Sequence, residues 1–440
     1  MKNLLLLTCL IVFSISGAFG QRLQARFVTS AYAWERQDTI GVSSQHLFGY
    51  QTVQLSLAGE QLSFHTYLQG FNDFAGPVKN DPTLRLYNLY VKWSAYSQAA
   101  DVRTELSVGR QAVFAGVGTG TIDGGLAAFI FLDSRLKLVG YYGSLPSLRY
   151  KAAMIDHAAD NAMVGGQIVV SPAEFAQASL SYMKRDIKPE TYMGTRQDAL
   201  FNPYLVEIKP TATAEEYISG DLNLEYRQIA SGYARFDYDL LLEKNSRLQL
   251  FTRISPFGSS SVKALQPLNL TAEYLQREPR ILFNSIFSVF SFNSLKEYEA
   301  GAEYAIGSNW QVFAKYGSVS YNDATQNQIT CGVNGEHVSF SLTRDDGDGG
   351  ELSAASLNLG YPLCENKLTP TLLVGFAHYK LSEYAQLENA LSVAFGAVCR
   401  PSRVFSVDAQ AQWIQNKIYK SDMRFFLRAS YLLSQQLGIF

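Results

Sequence analysis

The chain has 440 residues, 47% of them hydrophobic and 13% aromatic, with a formal net charge of −2. So small an imbalance excludes a nucleic-acid surface built on excess basic charge. Of the 4 cysteines, Cys9 lies in the leading segment, and Cys331, Cys364 and Cys399 are an odd set without a CxxC pair. That excludes a disulfide framework and a cysteine metal site, and no cofactor or metal is expected.

The first element is a leader. Lys2 precedes the apolar run Leu4 to Ile15, and Ala18-Phe19-Gly20 is a small-x-small cleavage site. This predicts an export signal over 1–20 and a mature domain over 21–440. Removing the leader takes away only Lys2, so the net charge moves from −2 to −3. No later stretch reaches the roughly 18 apolar residues of a spanning helix. A membrane protein of this composition must cross as a closed barrel, in which strands satisfy their own backbone groups.

From Arg22 onward the side chains alternate with a period of two, the signature of half-buried strands. LSVGRQAVFAGVGTGTIDGG (106–125) is a strand running into a Gly/Ala-rich loop over 112–122, and LAAF at 126–129 is a candidate short helical piece. Asp221, Asn223, Glu225 and Arg227 alternate with Leu222, Leu224 and Tyr226. In ARFDYDLLLEKNSRLQLFTRI, Arg235, Asp237 and Asp239 oppose Phe236, Tyr238 and Leu240; after EKNS, Arg247, Gln249 and Arg253 oppose Leu248 and Leu250. This predicts an antiparallel hairpin. Glu299 and Glu303, then Asp408, then Arg428 continue the pattern to the C-terminus, with Val333-Asn334-Gly335 as a kink in one long strand.

Turns at 58–61, 171–174, 306–309, 364–367 and 399–402 are short, whereas 34–46, 73–83, 112–122, 145–160, 185–215, 256–264 and 382–388 are longer and polar. Short turns on one rim and long loops on the other fit an up-and-down barrel. A coarse reading yields 23 strands; closure demands an even number, expected between about 16 and 22. The fold class is therefore all-β: one closed antiparallel transmembrane barrel. Trp93, Tyr304, Trp310, Tyr316, Trp413 and Tyr431, near strand ends on the apolar face, suit interfacial girdles.

An exported all-β chain ending in LSQQLGIF, with Phe440 last, resembles Gram-negative outer-membrane β-barrel proteins. The 106–125 segment is similar to the strand-Gly-Arg-Gln-loop-Asp-Gly segment of alginate-export-like and related substrate-specific porins. The resemblance implies location in the cell outer membrane, contact with its lipid, and assembly machinery that reads the last strand and Phe440. It also implies a loop that folds into the lumen in some members, with Gly109, Arg110, Gln111 and Asp123 as constriction candidates.

If the apolar faces meet lipid, the lumen is lined by Asp221, Glu225, Arg227, Arg235, Asp237 and Asp239, together with Arg247, Arg253, Glu299, Asp408 and Arg428. Mixed signs there create a transverse field, and pairing of the arginines with Asp237, Asp239 and Glu225 stiffens the wall. The expected function is passive diffusion of small hydrophilic solutes through a porin-like channel. Export or binding of an extracellular polysaccharide, and a structural barrel with a blocked lumen, are the alternatives, and homo-oligomerisation stays open. An energy-coupled receptor would need a plug ahead of the barrel, where strand one already begins.

A lipid hydrolase is the remaining alternative. His337 and Ser339 share a strand face at the spacing of a base and its nucleophile. Val338, Phe340 and Leu342 hold the apolar face, however, so the pair points to the lumen, away from lipid. No enzyme activity is expected. The acidic run 344–351 lacks the spacing of a calcium hand and reads as a solvated tip.

Overall fold

The structure, a computed structural model, describes residues 21–437 except 75–82, 148–149, 154–159, 189–190, 199, 210–212, 228, 259, 261, 279–293, 322–323, 381 and 383–384. The proposed leader and Phe440 lie outside the described residues. Strands carry nearly everything described, as the alternating, β-branched and aromatic sequence demands.

The wall begins with β1 (Gln21–Asp38), β2 (Ser43–Ala58), β3 (Leu62–Asp73) and β4 (Thr83–Ser97). It continues through β5 (Val102–Ala115), β6 (Gly118–Phe131), β7 (Leu136–Ser144), β8 (Ala162–Ala173) and β9 (Ala176–Ile187). A two-stranded hairpin, β10 (Tyr192–Gln197) with β11 (Pro203–Ile208), stands outside the barrel sheet. The wall resumes with β12 (Thr213–Tyr226), β13 (Ala230–Asp239), β14 (Lys244–Ile254), β15 (Leu268–Arg277) and β16 (Leu295–Ile306). Next come β17 (Trp310–Tyr321), β18 (Ala324–Gly335), β19 (Val338–Gly347) and β20 (Gly350–Gly360). Last are β21 (Leu368–Lys380), β22 (Glu388–Cys399), β23 (Phe405–Gln415) and β24 (Tyr419–Leu437).

Neighbours pair antiparallel all the way round, and β24 pairs back onto β1 from Gln21↔Leu437 to Arg36↔Asp422 and beyond. The result is a closed up-and-down barrel of 22 strands, inside the expected even range. With strands about 4.8 Å apart and tilted by about 40°, a circular section would be roughly 45 Å across at the backbone.

The two faces separate as the alternation predicts. Side chains splay on the convex outside of a closed wall and crowd on its concave inside. Phe236 is 41% and Leu250 46% exposed, and Tyr298, Phe425 and Leu427 are also exposed. Asp237 is 7% exposed, and Ser181, Ser219 and Asp422 are buried on the opposite face. Apolar residues therefore face outward, and polar ones inward.

Several local expectations need correction. LAAF at 126–129 is part of β6, because its ladder partners on β5 and β7 outweigh the helical propensity of two alanines. Val333 to Gly335 is no kink: β18 ends there and β19 starts at Val338 after a turn at 336–337. The 34–46 segment is mostly strand, with its turn confined to 39–42. The 112–122 loop is the end of the β5–β6 hairpin. The 23 strands counted coarsely resolve into 22 in the barrel and the β10–β11 pair outside it. Finally, 256–264 joins β14 to β15 on the rim that carries both chain ends, where the other connections named above are short turns. That rim is called the terminal rim below, and its opposite the far rim.

Candidate functional site

The lumen is occupied, among the described residues, by the end of the β5–β6 hairpin. β5 leaves β4 after Leu89↔Arg110, and β6 leaves β7 after Asp123↔Ser144. The departure occurs at a row of three glycines in register, Gly109, Gly124 and Gly143. A Cβ on Gly109 would strike Leu89 O, one on Gly124 would strike Tyr142 O, and Gly109 has φ +129°. Only glycine permits this close, bent crossing of three strands.

Arg110 locks the base of the hairpin. Its fully buried guanidinium donates to Asp123 from Nε (2.6 Å) and Nη2 (2.7 Å). Its other donors reach Leu86 O (3.0 Å), Lys151 O (2.7 Å) and Ala153 O (2.7 Å). All five N–H groups are satisfied, the condition for burying a guanidinium. The 150–153 segment thus crosses to β4 behind the hairpin, and Leu86 N donates to Tyr150 O as well. Gln111 is held by Ser107 and by Gly124 O.

Beyond this clamp the hairpin lies flat on the inner wall of β7–β9 and β12. Val113, Ala115 and Ile122 pack with Tyr141, Met163 and Met183 as the buried apolar cluster among the described residues. Val117 N donates to Ser181 Oγ (3.0 Å), and Arg185 Nη2 donates to Thr119 O. A Cβ on Gly116 would strike Ser181 and one on Gly118 would strike Tyr141, so these glycines set how closely the tip docks. Phe114, on the face turned away from the wall, is 82% exposed.

The 112–122 segment therefore lies inside the barrel, but its four anticipated constriction residues do not face the channel. Gly109 is the bend, while Arg110, Gln111 and Asp123 form the buried clamp at the hairpin base. The residues that receive the tip, Ser181, Arg185, Tyr141, Met163 and Met183, escape a reading of local sequence. Nothing in an isolated strand shows that another element will land on it.

The candidate lining residues fall into three groups. Facing the lumen as charge pairs are Arg235 with Asp237 (2.9 Å) and Asp221 (3.9 Å), and Arg253 with Glu303 (3.0 Å). Lys315 pairs with Glu299 (2.9 Å), and Arg428 Nε with Asp408 (2.7 Å). Arg247 also faces inward, bonded to Gln249 rather than to a carboxylate, and Glu225 sits at the end of β12 near the terminal rim. The other two sit where strands end. Asp239 accepts from the N–H groups of Leu241 and Leu242 (3.0 Å each) and so caps the β13–β14 turn. Arg227, with φ +47°, lies in the turn after β12.

Opposite the charge pairs of β12–β17, and beside Arg428–Asp408, the inner face of β1–β4 carries aromatic rings that pack on one another. Trp34 meets His46 (4.6 Å), His46 meets Phe48 (5.3 Å), Phe48 meets Phe71 (5.6 Å) and Phe71 meets Tyr50 (5.1 Å). Lower on the wall Tyr67 meets Tyr87 (4.7 Å), and Tyr87 meets Tyr150 (4.9 Å). At the far-rim end, fully buried Asp422 holds Arg424 (2.7 Å) and Arg36 (3.1 Å), and Arg36 covers one face of Trp34. The phase of Tyr32 and Trp34 with Arg26 and Arg36 is the sequence signal that could have placed them inside.

The HxS pair is not assembled for catalysis. Ser339 Oγ donates to Asn334 Oδ1 (2.7 Å), and His337 sits in the turn 3.8 Å from Glu336 and edge-on to Tyr361.

The barrel superposes on the copper transporter OprC with a TM-score of 0.54, over 95% of this chain and 81% of that one, at 10% identity. The chain has the fold of an outer-membrane β-barrel. Similarity is lower to Acinetobacter baumannii OccAB3 (TM-score 0.42, 10% identity, 94% of this chain and 99% of that one). It is also lower to the P pilus usher PapC translocation pore (0.44, 6%, 94% and 100%). No family model and no curated protein matches the chain.

Proposed function

We propose that this barrel is a passive outer-membrane channel for small hydrophilic solutes. The observation that carries the reading is the placement of the hairpin along one wall instead of across the section. A packed two-stranded layer takes about 10 Å of a barrel roughly 45 Å across at the backbone. What it leaves is lined on one side by ion pairs, which tolerate water and solutes of either charge. Transporters of this strand number hold a plug; here the inward elements among the described residues are a hairpin of the wall itself and the 150–153 segment clamped to it. The leader at 1–20 would export the chain, and the last strand with Phe440 would present it to the assembly machinery. No catalytic role is proposed for Ser339, whose hydroxyl is committed to Asn334.

Reconstitution into planar bilayers tests this. Stepwise conductance is expected from the full mature chain, with a larger unit step when residues 112–121 are replaced by a two-residue turn. A folded barrel that stays silent in both forms would overturn the channel reading and leave a structural wall.

A further inference from the structure

The outer face of the barrel carries one feature that a passive wall does not need. Along β20 the outward residues Ser353 and Ala355 are small, and they form the floor of a groove of about 340 Å³. Leu342 and Arg344 of β19 wall it on one side, and Phe376 and His378 of β21 on the other. Strands two places apart are about 9.5 Å apart, and small side chains between them leave a slot as wide as one acyl chain. The slot is apolar towards mid-wall and polar towards the far rim.

Its polar end holds an arginine on the lipid-facing side. Arg344 is exposed and, among the described residues, makes no hydrogen bond or ion pair; its cross-strand neighbours are Ile329 and Ser353. His378 is oriented by Asn389, Nδ1–H donating to Oδ1 (2.6 Å), and its Nε2 becomes a donor towards the slot in the imidazolium form. In the next row towards the rim Lys380 pairs with Glu351 (3.6 Å), and Asp346 lies opposite Glu351, so that row carries one carboxylate more than its single cation. Arg344 lies level with Ile329 and Tyr316, and Tyr316 is an exposed outward tyrosine whose hydroxyl donates to Asn327. Arg344 itself stands three residues from the far-rim end of β19, towards the headgroup level of the wall. A cation facing lipid there is costly alone and favourable against a phosphate, which guanidinium binds bidentately.

We propose that a lipid with an anionic phosphate headgroup docks on β20, its phosphate on Arg344 and His378 and one acyl chain between Leu342 and Phe376. This rests on the membrane-spanning reading, but not on conduction, so the two can fail separately. The test is native mass spectrometry of the barrel released from nanodiscs of phosphatidylglycerol and phosphatidylcholine in equal parts. The wild-type chain is expected to retain phosphatidylglycerol preferentially. Arg344→Gln should lower that preference about tenfold, the order of one charge-assisted hydrogen bond. Ala355→Trp, which fills the floor and keeps the charge, should lower total lipid retained. Both variants should conduct as wild type does. Unchanged lipid ratios and amounts in both variants would overturn the proposal. So would a change in oligomeric state with lipid retention untouched, which would make the slot a contact between copies.

Discussion

The inner faces of β1–β4 and β12–β17 obey the same alternation and are chemically different. The first stacks Trp34, His46, Phe48 and Phe71 into a rib, whereas the second pairs Arg235, Arg253 and Lys315 with carboxylates. The difference shows that a period of two fixes which side chains face inward without fixing how they hold the wall. Ring stacking contributes about 0.5–1.5 kcal/mol per pair beyond burial, and a hydrated ion pair about 0–1 kcal/mol. The aromatic arc should therefore be the stiffer one, and the charged arc the one that meets solutes. Between them, the hairpin adds a third device, a buried ion pair at its root.

That root gives the largest expected effect. Arg110→Ala leaves Asp123 charged and buried without its guanidinium, which should cost about 3–5 kcal/mol in urea unfolding followed by tryptophan fluorescence. A loss below about 1 kcal/mol would mean that the clamp is not buried in solution. Within the comparison itself, Phe48→Ala removes contacts with His46, Tyr32 and Phe71 and should cost about 3 kcal/mol. Glu303→Gln on the charged arc should cost less than about 1 kcal/mol. Equal losses would erase the distinction.

The charged arc should instead answer in selectivity. Asp221→Asn with Asp237→Asn releases Arg235 from its counter-ions and should shift the reversal potential in a salt gradient towards anions. The change should fade at high salt, where the charge is screened. The same exchange of aromatics, Phe48→Leu with Phe71→Leu, should leave the reversal potential unmoved.

The smallest effect lies outside the wall. In the β10–β11 hairpin the side-chain amide and N–H of Asn202, then the N–H of Leu200, hold the Asp198 carboxyl below its ordinary range. A lowered folded pKa contributes stability that is fully present above the ordinary value of about 3.9 and is lost as pH falls through the folded one. Hydrogen exchange in this hairpin should stay constant from neutral pH down to about 4 and rise only below it, after correction for intrinsic rates. Loosening between pH 5 and 7 would point to another group.

Much of this architecture was legible in the residues. Phe236 and Leu250 against Asp237 were enough to orient the wall, but EKNS was not the turn: Leu240 to Glu243 make it, and Lys244 to Ser246 already belong to β14. The glycines of 109–125 indicated that a segment with little bulk could enter the lumen. Three things were not legible, each because its cause is non-local. LAAF read as helix because only its β5 and β7 partners make it strand. Arg110 read as a channel charge because the carbonyls that bury it come from residues 86, 151 and 153. The aromatic count read as girdle material, and Trp93, Trp310, Tyr316 and Tyr431 do face outward and stand exposed. Trp34, Phe48 and Phe71 instead joined one inner row through His46, because β1, β2 and β3 bring them into register.

Which face is wet can be measured directly by thiol labelling of the barrel in vesicles, in a Cys331→Ser, Cys364→Ser, Cys399→Ser background. Leu250→Cys should resist a water-soluble maleimide, and Arg253→Cys, three residues along the same strand, should react readily. Rapid labelling at 250 with protection at 253 would contradict an inward polar face and a water-filled lumen.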